Sequence, residues 1–355
     1  MTLVLAALFT VRALTLPAHA TIDPFASRPQ MSVAPSGAIA ATVVIGGFTT
    51  RTVAWNAAGG WHLVPAPPFS AAPESIDLTV ATYERDATLL LNATARYAGP
   101  APAMRFRASR VAGTKATPLD FSSCAYPRNS SGTVVAGAYA DGDLVATMES
   151  PPLVDIDDLS GQTAPVVVRL RGTECAYLGN GYAIGVDGDY AAGYASYVGN
   201  VPESDVSVKE RFVAMRWHGD ERRALGAGVA LAVDASGIVA GADAPAGTLA
   251  EYGADPHAVR WDPSGARLDL APQSPRSVAY AVDEQGNVVG TLQDDDGRHY
   301  AFLWENGHLS RLDDLVHAAG WRFECAYAFG PNGEIVGIGT HDGVAMAFEL
   351  SPRAR

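Results

Sequence analysis

The chain has 355 residues and a formal net charge of −13, with lysine only at Lys115 and Lys209. An acidic surface of that kind repels phosphate backbones, so nucleic acid is excluded as the expected partner. Its composition is 48% hydrophobic but only 8% aromatic, with 36 Gly and 23 Pro, which suits short strands and tight turns better than long helices.

The chain opens with "MTLVLAALFTVRALTLPAHA", an apolar run containing Arg12 and ending in Ala18-His19-Ala20. That pattern predicts a signal peptide over residues 1–20, cut after Ala20, and a mature domain over 21–355 in the periplasm or outside the cell. No later stretch reaches the roughly 18 apolar residues of a membrane span.

From residue 31 onward the sequence repeats. Turn residues stand at Gly37, Asp86, Gly132, Gly188, Gly237, Gly286 and Gly333. The spacings are 49, 46, 56, 49, 49 and 47 residues, in the range of a propeller or array. We letter the copies A to G. Each carries a second landmark downstream, a strand ending in a bulky residue: Trp55, Phe106, Leu170, Trp217, Trp261, Trp304 or Phe348. Short turns follow, such as Asn306-Gly307, which suits a type I′ hairpin.

The unit reads as a four-stranded antiparallel meander, strands a to d. In copy F these are "VAYAV", "NVVGT", "HYAFLW" and "HLSRL". Small apolar residues fall on both faces of strands a and b, so both faces need cover, and radial stacking of sheets supplies it. The expected fold is all-β: a seven-bladed β-propeller closed by an N-terminal strand, for which residues 21–28 are the candidate. Two alternatives stand: an N-terminal β-sandwich before a partial repeat array, or six blades without the Asp86 copy. Gly241, Gly290 and Gly337, each four residues past the turn glycine, are expected where backbones approach closely.

"AYAVDEQGNVVGT" followed by "HYAFLWENG" resembles the repeat of bacterial extracellular HAF-repeat proteins, over about residues 180 to 350. The resemblance implies an exported protein. It implies no activity and supplies no catalytic residues.

Candidate function sits in the long connections between strands b and c, read as 138–165 in copy C, 194–211 in D and 242–256 in E. In a meander these emerge at one end, and long loops in compact domains carry function. The candidate ligand-binding residues are Asp141, Asp143, Asp155, Asp157, Asp158, Tyr194, Tyr197 and Tyr252. Carboxylates interleaved with tyrosines suit a cationic or glycan ligand. The expected function is a non-enzymatic, monomeric binder of a protein or glycan. The alternative is a carbohydrate-active hydrolase or lyase using carboxylates on the same face.

No cofactor is expected. "ADGDL" (140–144) and "DDDG" (294–297) offer oxygens to Ca²⁺ but lack the spacing of a full calcium loop. The histidines show no metal-ligand spacing. Of the cysteines, Cys124 and Cys325 occupy one repeat position four copies apart, across a ring. Cys124 and Cys175 flank one copy, and these are the expected disulfide.

Overall fold

A computed structural model describes residues 9–23, 28–47, 49–56, 60–69, 71–98, 103–124, 132–149, 165–198, 210–243 and 255–353. The described residues are strands joined by turns, with one short helix, Leu312–Leu315.

Copy A comprises Met31–Val33, Ile39–Ile45, Thr49–Trp55 and Trp61–Leu63. Copy B, the weakest match in sequence, folds as the same meander: Ser75–Tyr83, Leu89–Tyr97, Ala103–Ala112 and Lys115–Pro118. Copy C runs Gly132–Ala138, Leu144–Glu149, Val166–Arg171 and Glu174–Asn180. Copies D, E and F start at Tyr182, Val229 and Arg276, and each forms one four-stranded sheet in chain order. Copy G supplies Trp321–Phe329, Ile335–His341 and Val344–Pro352, and its fourth position is taken by Phe9–Leu14.

That last pairing corrects the expected closing segment. The outer strand comes from residues 9–14, inside the stretch read as a signal peptide, and not from residues 21–28. Ala20–Thr21 pairs instead with Ile45 and Val44 of copy A; residues 24–27 lie outside the described residues. The N-terminal strand is the right shape for its place: Phe9 and Leu14 are buried, whereas Thr10 and Ala13 are exposed.

A second correction concerns copy C. Its a-to-b turn is at Gly142, and Gly132 opens strand a. Gly132 has φ +146, and a Cβ there would overlap the Phe106 carbonyl. Strand a of copy C touches strand c of copy B at this point, so only glycine fits. Two landmarks shift as well. Val111, not Phe106, faces the start of strand b in copy B, and Leu350, not Phe348, does so in copy G.

The recurring glycines of strand b do mark a close approach, but within a sheet. Gly290 faces Ala279, beside a bulge between Ala279 and Ala281 of strand a, and a Cβ would overlap the Val278 carbonyl. The bulge crowds the opposing strand, and glycine relieves it. Asn306 and Gly307 both have positive φ, 52° and 82°, as a type I′ hairpin requires.

Successive meanders share apolar clusters. Trp217 of copy D is buried among Ala136, Val145 and Val167 of copy C. Trp261 of copy E packs against Ala192 and Ala214 of copy D. Val336, Ile338 and Ala347 of copy G share a cluster with Met31, Ile39 and Trp55 of copy A, and Leu14 lies in it fully buried. The indole of Trp217 donates to the Leu178 carbonyl, in strand d of the preceding copy, at 3.2 Å. The indole of Trp55 donates at 3.0 Å to the carbonyl of Thr15, which directly follows Phe9–Leu14. The N-terminal strand thus serves copy A as strand d of copy C serves copy D.

Candidate functional site

A meander has two ends. The a-to-b and c-to-d turns emerge at one, the b-to-c connections and the crossovers between copies at the other. The paired strands bracket long b-to-c connections in copies C, D and E: 150–165, 199–209 and 244–256. In copies A, F and G the corresponding strands are joined over 46–48, 294–298 and 342–343. Asp155, Asp157, Asp158 and Tyr252 lie outside the described residues. Tyr197 stands on the strand Tyr190–Val198, facing Arg211, and its side chain is outside the description.

Asp141 and Asp143 belong to the opposite end. They sit on the a-to-b turn of copy C, because that turn is at Gly142. Asp143 is buried and accepts from Nε of both Arg169 and Arg171, at 2.7 and 2.8 Å. Asp141 accepts from Arg169 at 2.8 Å, and Asp220 of copy D from the same guanidinium at 3.3 Å. The Arg169 guanidinium also lies 5.0 Å over the Tyr139 ring, whose hydroxyl donates to the Gly219 carbonyl at 3.2 Å. Partial burial works against the Asp141 carboxylate, but the Asp143 amide and Arg169 hold it below its ordinary value. Asp141 and Asp143 thus hold strand c of their own copy, and Arg169 and Tyr139 tie copy C to copy D through Asp220 and Gly219. The structure does not bring Asp141 and Asp143 together with Tyr194.

Tyr194 is a mid-strand residue, half-buried on the axial side of copy D. Its ring stacks on Tyr182 at 5.0 Å and meets Phe212 edge-on at 5.0 Å. The axial cluster there includes Ile184, Leu231, Tyr280 and Tyr327.

At the root of the 244–256 connection lies a group that the sequence reading passed over. Asp243 ends strand b of copy E and faces His257, which starts strand c. Arg267 pairs with Asp243, and His257 Nδ1 is 3.2 Å from Asp269. Burial pushes the Asp243 carboxyl up, with Arg267 acting against the rise. The available signal was strand pairing: residues 243 and 257 bracket the insertion and face each other across it.

The end bearing Asp141 also holds a cavity of about 530 Å³ lined by Tyr83, Arg85, Arg110, Tyr139 and Asp187 among others. Arg110 is held by Glu84 through two 2.7 Å hydrogen bonds, and burial pushes the Tyr83 hydroxyl up to about 12. Asp187 stands where copies E and F have Asp234 and Asp283. Those two close their own turns by accepting from amides two and four residues on. The turn of copy D is shorter, and Asp187 accepts from the adjacent Gly188 amide at 2.8 Å. Burial raises its carboxyl, the Gly188 amide works against this, and Asp234 and Glu284 add to the rise.

That shift has a sign in stability. Above the ordinary carboxylate value, the folded chain holds the Asp187 proton more tightly than the unfolded chain. Stability therefore falls as pH rises through the window up to the raised value. Asp187→Asn keeps an oxygen for the Gly188 amide and removes the penalty. Its melting temperature should exceed wild type at pH 7, with the gap closing toward pH ~4. A lower melting temperature for Asp187→Asn at pH 7 would contradict this account.

The two acidic turns make local hydrogen bonds and ion pairs. In "DDDG", Asp294 Oδ1 accepts from the Asp296 and Arg298 amides at 3.0 and 2.9 Å; the acids of "ADGDL" are taken by arginines. Among the described residues, no group of three or more His, Cys, Asp or Glu is placed to hold a metal ion. No described helix is long and apolar enough to cross a membrane. Cys124 and Cys175 are bonded, with Cα atoms 5.1 Å apart, and Cys325 is buried as a free thiol.

No family model and no curated protein matches the sequence. Solved structures do. The chain is similar to the β-propeller domain of the Trilobed protease from Pyrococcus furiosus, described as having an open velcro topology. The TM-score is 0.56 at 9% identity, covering 94% of this chain and 96% of that one. It is also similar to the acylaminoacyl peptidase of Pyrococcus horikoshii, with a TM-score of 0.52 at 12% identity, covering 96% of this chain and 53% of that one. This chain thus spans about half of the peptidase. At these identities the likeness gives the fold alone: the chain is an all-β protein with the β-propeller fold.

Proposed function

We propose that the protein is an exported, monomeric, seven-bladed propeller of the HAF-repeat type, closed by Phe9–Leu14. In this reading it binds a protein or glycan at the end carrying the b-to-c connections. The observation that carries the binding reading is the run of three long connections, 150–165, 199–209 and 244–256, in consecutive copies. Short turns would hold the strands equally well, so the added length serves something other than the blade. The disulfide supports export, since such bonds persist in oxidising compartments. Closure is supported by the six-residue pairing of Phe9–Leu14 with Pro352–Ala347 and by the cluster shared between copies G and A.

A hydrolase or lyase is the second reading. One observation favours it: Asp243, with a raised carboxyl, lies in one group with His257 and Asp269 at the base of the same end. A carboxyl raised by burial, with a histidine facing it across the strand pair, is the kind of group general acid–base chemistry uses.

The test is to replace residues 150–165 by a five-residue turn of the same sequence as 294–298. Leu144–Glu149 and Val166–Arg171 keep their pairing, so circular dichroism should stay native. Retention on a glycan array and on a cell-envelope fraction should fall at least tenfold. Unchanged retention by the well-folded variant would overturn the assignment of this end.

A further inference from the structure

We infer that Phe9–Ile22 is a permanent part of the folded protein, so that the Ala18-His19-Ala20 motif is not used for cleavage. This rests on the reading of Phe9–Leu14 as the closing strand. The segment is tied in along its length. Phe9 is buried with Phe348 and Leu350. The Thr10 hydroxyl donates to the Ser351 carbonyl at 3.3 Å. Arg12, which interrupts the apolar run of a would-be leader, forms an ion pair with Glu349. Leu14 is fully buried beside Trp55 and Ala347. The Thr15 carbonyl receives the Trp55 indole. Ala20 and Ile22 are each 8% exposed, the His19 carbonyl accepts from the Gly46 amide at 3.2 Å, and the Tyr327 hydroxyl donates to the Asp23 carbonyl.

The peptide bond after Ala20 lies within Ala20–Thr21, paired with Ile45 and Val44. A peptidase needs that stretch drawn out and accessible, so the folded chain protects it. Conversely, a cut before folding removes the outer strand and leaves Val344–Pro352 as an unpaired edge. It also strips cover from Phe348 and Leu350, both 0% exposed. Leader removal at Ala20 and this fold therefore exclude each other. Any export of the chain leaves Phe9 onward in place.

The experiment uses the full chain carrying Thr10→Cys and Ser351→Cys, alongside wild type, recovered from the cytoplasm and the envelope of an expressing bacterium. Thr10 and Ser351 face each other across the ladder, where Cα atoms lie about 4.5–5.5 Å apart, within disulfide reach. The expected result is an intact mass that includes Phe9 in both fractions, and, on mild oxidation, a disulfide between the two introduced thiols. A folded, cooperatively melting wild type that begins at Thr21 overturns the inference while leaving the blade repeat intact. An intact mass that includes Phe9 but no cross-link shows that the closing-strand reading has failed, and the inference fails with it.

Discussion

Trp217→Ala is expected to cost about 3–5 kcal/mol, the usual range for emptying a buried tryptophan site. The side chain is 0% exposed and fills the seam between copies C and D. Its loss opens a cavity lined by Val145, Val167 and Leu178 and leaves the Leu178 carbonyl without its indole partner. The seam is narrow and its walls are paired strands, so little collapse can fill the space. Trp61→Ala is the control. Trp61 is 40% exposed on an outer strand, and its replacement should stay within about 0.5 kcal/mol. Urea melts of the two variants decide the matter; equal losses would mean that the seam is not where stability resides.

Replacing Cys124 and Cys175 together by serine is expected to cost about 2–4 kcal/mol. The bond joins residues 51 apart in sequence. It ties the crossover after copy B, where Phe121 is buried, to strand d of copy C. Dithiothreitol should lower the wild-type melting temperature toward that of the variant. A thiol titration should find no reactive cysteine in the folded, unreduced protein and one, Cys325, after unfolding. Burial pushes the Cys325 thiol well up, which keeps it inert. Three reactive thiols without reductant would rule the bond out.

Much of the blade was legible because the unit is local. A turn glycine, a strand of small residues and a bulky residue on strand c recur at fixed offsets, and hairpin geometry allows little else. Copy C was misregistered for a physical reason. "GTVVAG", beginning at Gly132, imitates a turn glycine and the strand b that follows it elsewhere, as in "GIVAG" beginning at Gly237. Gly132 is a glycine because of its contact with Phe106 in the preceding copy, which no pattern within copy C reveals. That slip placed Asp141 and Asp143 at the wrong end. The closing segment was misplaced for a like reason: the pairing of Phe9–Leu14 is with residues more than 330 positions later, which no local pattern reveals. The Asp243 group was hidden because it depends on strand pairing across an insertion rather than on spacing.

Native-state amide hydrogen exchange can test the proposed closure of a seven-bladed ring by Phe9–Leu14. If the ring is closed, the ladder-bonded amides of Phe9–Leu14 open only with global unfolding, and their protection matches that of Ile335–His341 in the same sheet. Exchange of residues 9–14 within seconds, while Ile335–His341 stays protected, would contradict the account.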